Sequence, residues 1–123
     1  MEKTKQLFGE LLAFTMKEME LCPWVEDLSF HTILKEAETE ITEIHQANTS
    51  EDLILELGDL FRDVLLAILV GQRDLGLVSL EEVILQVLQK VRRRKPFIDT
   101  GERVSKEKAI HLWNMAKVAE KST

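Results

Sequence analysis

The sequence predicts an all-α fold, a four-helix-type bundle with an additional terminal helix. Three observations point there. Apolar residues recur at 3.6-residue spacing in five segments, no segment shows the strict alternation of a half-buried strand, and turn formers are scarce, with five Gly and two Pro in 123 residues. A chain of this length carries one core, so the expected organisation is a single helical domain over residues 1–123.

The first helix is expected from about Lys3 to Leu21, with Leu7, Leu11, Phe14 and Leu21 as its apolar stripe. Cys22-Pro23-Trp24 breaks it. A second helix is expected from about Ser29 to Ala47. The third opens after Asn48-Thr49-Ser50, where Thr49 or Ser50 caps and Asp52 adds an acid to the first turn, and runs to about Leu75. Gly76 ends it. Ser79 and Glu82 have capping-box spacing and open a fourth helix, which Pro96 stops after Arg94. A polar link through Gly101 leads to the last helix, about Ser105 to Lys121, with Ala109, Leu112, Trp113 and Ala116 on one side. Short connections between the middle helices favour antiparallel neighbours.

The net charge is -6 and the pI about 5.1, which argues against a nucleic-acid binder that relies on a positive surface. Basic charge is local, in Lys90-Val91-Arg92-Arg93-Arg94-Lys95, where an anion can still be held. As cations at a helix C-terminus, the same residues also suit the helix dipole without any ligand. The lone Cys22 fits a reducing compartment, and the charges among the first ten residues leave no room for a signal-peptide core, so a cytoplasmic location is expected. The apolar run from Val64 to Val70 is too short to span a bilayer, and no membrane partner is expected.

The acids carry the chemistry. On the third helix Glu56, Asp59 and Asp63 lie in a sector whose edges are apolar, Leu66 on one side and Leu60 and Ala67 on the other. On the second, Ile33, Ala37, Ile41 and Ile44 form the apolar stripe, with Glu36, Glu40 and Glu43 beside it. Converging half-buried carboxylates need a compensating cation, and an all-oxygen set suits Mg²⁺, with Mn²⁺ as an alternative. A solvated face paired with Lys35 and Arg62 is the competing explanation. Cys22 has no neighbouring base in the sequence, and His31, His45 and His111 lack metal-ligand spacing.

In order along the chain, Cys22-Pro23-Trp24, Glu56-Leu57-Gly58-Asp59, then Lys90, Arg93, Arg94 and Pro96, and finally Trp113 with Lys117 resemble the MazG-type all-α nucleoside triphosphate pyrophosphohydrolases. The resemblance implies Mg²⁺-dependent cleavage of an NTP or dNTP to the monophosphate and pyrophosphate by a homodimer or higher homo-oligomer. It further implies Glu40, Glu43, Glu56 and Asp59 as catalytic metal ligands, Lys90, Arg93 and Arg94 as phosphate-binding residues, and Trp24 at the base pocket. A register shifted by three puts Glu36 among the ligands in place of Glu43. Three departures from the family pattern stand out: Thr39 replaces the first Glu of E-E-x-x-E, Val25 and Leu28-Ser29-Phe30 stand where Asp and a Q-T-H run are usual, and Lys95 replaces a His. They leave open a MazG-fold oligomeric module that binds a ligand with catalysis lost or weakened.

Overall fold

The computed structural model describes residues 1–76 and 79–122. Its described residues form seven helices and no strand: α1 Glu2–Leu21, α2 Pro23–Asp27, α3 Phe30–Gln46, α4 Ser50–Leu75, α5 Leu80–Arg94, α6 Phe97–Thr100 and α7 Lys106–Lys121. The five expected helices are there. The two short ones, α2 and α6, occupy what the sequence suggested were a break and a link. No helix among the described residues is long and apolar enough to cross a membrane.

The chain divides into two compact units, the first ending at Leu80. In the first, Cys22 is extended (φ -95°, ψ 113°), as the residue before a proline prefers, so α1 stops there. Pro23 then serves as the first residue of α2, where its missing N–H costs nothing. Five residues do not make a stable helix by themselves. α2 is held by burial of Val25 and by Arg73 of α4, whose guanidinium donates to the carbonyls of Val25 (3.1 Å) and Leu28 (2.8 Å). Ser29 caps α3 by accepting from the Thr32 N–H, and Thr49 caps α4 by accepting from that of Asp52, both at 3.1 Å. Gly76, at φ 62°, ends α4 in the left-handed conformation that glycine adopts without strain.

α3 and α4 form an antiparallel hairpin across the short link 47–49 and make the principal packing of the unit. Val25, Ile33, Leu66, Ala67 and Val70 are the buried cluster, with Met19, Cys22, Leu28 and Phe30 packed against it. Each fully buried Val, Leu or Ile side chain stabilises by roughly 1.5–3 kcal/mol, so this small cluster is the anchor of the unit.

α1 corrects the expected stripe. Leu7, Phe14 and Leu21 are exposed, while the one fully buried residue of the helix is Thr15, whose hydroxyl donates to the Leu11 carbonyl at 2.8 Å. The inward face of α1 runs instead through Leu11, Thr15, Glu18 and Cys22. Glu18 selects that face by pairing with Arg62 of α4 at 2.6 Å, and Thr15 can be buried because its own helix satisfies it.

The second unit holds α5, α6 and α7. Ser105 caps α7 by accepting from the Lys108 N–H, and Ala109, Leu112, Trp113 and Ala116 are half-buried, the stripe read from the sequence. Arg94 lies 4.7 Å from the Trp113 ring centroid, a cation–π contact, and Arg92 pairs with Asp99 at 3.1 Å.

Candidate metal centre and adjoining cavity

Because α3 and α4 run antiparallel with so short a link, the last two turns of α3 face the second turn of α4. Glu40, Glu43 and Glu56 each offer a carboxylate oxygen there, and these oxygens lie within 4.8 Å of one another. Glu40 and Glu56 are half-buried, and each has one oxygen, Oε2, that is buried without a hydrogen-bond partner. Among the described residues no Lys, Arg or His pairs with any of the three.

The charges answer one another accordingly. A hydrogen bond shared with Glu56 pulls the Glu40 carboxyl down, yet burial and the like charges of Glu43 and Asp59 leave it above the ordinary 4.5. Glu43 is raised by the hydrogen bond and charge of Glu56. Glu56 is lowered by its hydrogen bond to Glu43 but raised overall by Glu40, burial and Asp59. Three acids raised together are short of positive charge.

Asp59 is exposed and stands at the edge: its charge acts on all three, but its oxygens are outside the close group. Glu36, the ligand of the shifted register, lies one turn before Glu40 and lines a cavity instead. Thr39, in place of the first motif Glu, is exposed and donates to the Lys35 carbonyl at 3.2 Å. Arg62, a suggested partner for the acids, is engaged by Glu18, and Lys35 makes no ion pair among the described residues. The solvated, paired face that competes with a metal site thus lacks both its cations.

The cavity, about 450 Å³ and open to solvent on one side, is lined by residues of α1 to α4 and the turns between them. Val25, Ile33 and Leu66 give it an apolar floor, Trp24 stands on its wall with 78% of its surface exposed, and Glu36, Arg62 and Asp63 are among its polar residues. Burial raises the Asp63 carboxyl, Arg62 opposes, and Glu36 and Asp59 add to the rise.

In the second unit, Arg93 and Arg94 both hold Glu120, at 2.8 and 2.7 Å, and these hydrogen bonds carry its carboxyl down to about 2. Lys90 is exposed on α5 and makes no ion pair among the described residues. Sequence reasoning missed Glu18, Arg73 and Glu120. The signal for Glu120 was its place one turn beyond Ala116 on the α7 stripe, where an acid needs a cation; Glu18 and Arg73 gave no local signal.

An antiparallel helix pair with converging acids on its facing turns defines a class. The MazG nucleotide pyrophosphohydrolase domain model matches residues 26–98, which contain both the acid helices and the basic segment. A MazG-related protein from Thermotoga maritima, known from its crystal structure, is 36% identical, superposes with a TM-score of 0.83, and is aligned over 89% of this chain and 97% of its own. No curated protein matches. The chain belongs to the MazG family.

Proposed function

We propose that the protein hydrolyses a nucleoside triphosphate, NTP or dNTP, to the monophosphate and pyrophosphate in a Mg²⁺-dependent reaction. The observation that carries this reading is the group of Glu40, Glu43 and Glu56 oxygens within 4.8 Å, with no protein cation among the described residues to balance them. The donor set fits a hard divalent cation: all ligands are carboxylate oxygens, and the buried Oε2 atoms of Glu40 and Glu56 are without partners. Glu40, Glu43 and Glu56 would hold the ion, with Asp59 completing the set. When bound, Mg²⁺ neutralises triphosphate charge and lowers the pKa of water, with Mn²⁺ able to substitute.

The chain's own residues do the remainder. The acids would hold the ion at the α3/α4 turns, and with it the charged end of the substrate. Lys90, Arg93 and Arg94 bind phosphate oxygens, Arg93 and Arg94 exchanging or sharing their Glu120 contacts to do so. Trp24 offers an aromatic face to the base. The active form is a homodimer or higher oligomer. Its support is the row of exposed apolar side chains on α4, including Leu53, Leu57, Phe61 and Val64.

The test is pyrophosphate release from a panel of NTPs and dNTPs with Mg²⁺. Turnover that disappears in Glu56→Gln is expected, and release of orthophosphate alone, or none from any substrate, sinks the proposal. A second reading, a MazG-fold module that binds without turnover, is favoured by one observation: the basic pair Arg93 and Arg94 already has a partner in Glu120. Tight, Mg²⁺-dependent binding of a non-hydrolysable NTP analogue without turnover of the parent NTP identifies that case.

A further inference from the structure

We propose that the cavity beside the acid group is a nucleobase pocket that selects bases carrying an exocyclic amino group over those with a carbonyl or hydrogen in its place. This rests on the nucleotide reading above and deepens it.

Position is the first argument. Glu36 and Asp63 line the cavity, and each is four residues from an acid of the proposed metal set, Glu40 and Asp59 respectively. One helical turn, about 5.4 Å, separates cavity and acids along both helices, so a ligand held at the acids by its phosphates has its base within reach of the cavity. The volume, about 450 Å³, lies in the usual range of small-ligand sites, roughly 300–1,000 Å³.

Lining chemistry is the second. A flat, weakly polar body is suited by Val25, Ile33 and Leu66 below and by the Trp24 ring at the wall. The polar groups are unbalanced. Glu18, Glu36 and Asp63 bring three carboxyl groups against one guanidinium, Arg62, and that one is committed to Glu18 at 2.6 Å. Oε1 of Glu18 and Oδ2 of Asp63 are buried with no hydrogen-bond partner. A buried acceptor without a donor is destabilising, and a ligand relieves it only by donating. The amino group of cytosine or guanine donates. The carbonyl at the same place in uracil sets one acceptor against another, and hypoxanthine, which lacks guanine's amino group, leaves the acceptor unsatisfied. Discrimination by hydrogen bonding is therefore expected to be larger than a shape difference alone would give.

The measurement is calorimetric binding of nucleosides to the full chain in metal-free buffer, comparing cytidine with uridine and guanosine with inosine. Nucleosides have no phosphate, so the result does not depend on the acid group, a metal or turnover. At least one amino-bearing nucleoside is expected to bind tenfold or more tightly than its counterpart. In Asp63→Asn, whose amide also donates, that ratio is expected to fall to threefold or less; Glu36→Gln, at an exposed position, repeats the test should Asp63→Asn not fold. Equal affinities within both pairs, no nucleoside binding, or an unchanged ratio in both variants overturns the proposal. Pyrophosphate release alongside equal affinities leaves the hydrolase reading standing and removes this one; discrimination without pyrophosphate release does the reverse.

Discussion

Glu43 is the residue on which the two ligand registers differ. The hairpin brings it to Glu40 and Glu56, whereas Glu36 faces the cavity. Glu43→Ala is expected to weaken Mg²⁺ binding at least tenfold in calorimetry, and Glu36→Ala to leave it within threefold; the opposite pattern restores the shifted register. The raised acids also set a pH dependence. Glu40, Glu43 and Glu56 bind protons more readily folded than unfolded, so stability of the metal-free protein falls as pH rises from near 4.5 through their elevated range, and levels off above it. Bound Mg²⁺ would offset that loss by supplying the missing charge. The expected result is a Tm increase on adding Mg²⁺ that is larger at pH 7.5 than at pH 5. An increase of equal size at both pH values contradicts it.

At the scale of elements, two ends are exposed to single substitutions. Gly76→Ala forces a side chain into φ 62° and is expected to cost about 1 kcal/mol, read from the midpoint of denaturant unfolding. Glu120, shared by Arg93 and Arg94, is held at about 2, so its contribution is fully present above 4.5 and disappears as pH falls from there through 2. Glu120→Gln therefore lowers Tm at pH 7 and flattens the acid limb of the Tm profile. It also releases Arg93 and Arg94: if those residues bind phosphate, the variant's KM for NTP falls or holds while stability drops.

Elements also divide what could be read in advance from what could not. The five long helices were legible because periodicity, the Thr49 cap and the Gly76 stop agree. The α3 and α4 acids were legible because they sit at the margin of apolar stripes. α2 was not, since five residues show no period and its existence depends on a side chain 48 positions away, Arg73. The α1 stripe was misread for a related reason. Its apolar count pointed outward, but the face that packs is chosen by the pairing of Glu18 with Arg62, a long-range event that no local window contains.

The whole chain carries 45% apolar residues, yet among the described residues the buried hydrophobic core amounts to six side chains. Phe14, Leu55, Leu57, Phe61 and Val64 are all exposed, more apolar surface than a monomer of this size ordinarily leaves in water. A homodimer or larger assembly at micromolar concentration is expected from multi-angle light scattering; a mass of 14.2 kDa would refute it. Phe61→Glu is expected to shift the assembly towards smaller species.

Arg73 gives the molecule a division of labour. The short helix that supplies Trp24 and Val25 to the cavity is fastened to α4 at its carboxyl end, well beyond the turns that carry the acids. The fastening of the cavity's short helix and the placing of the acids thus depend on different turns of α4. Under the proposed function, a substitution in residues 23–28 would alter the ligand that the cavity accepts while leaving the acid group on α3 and α4 unchanged.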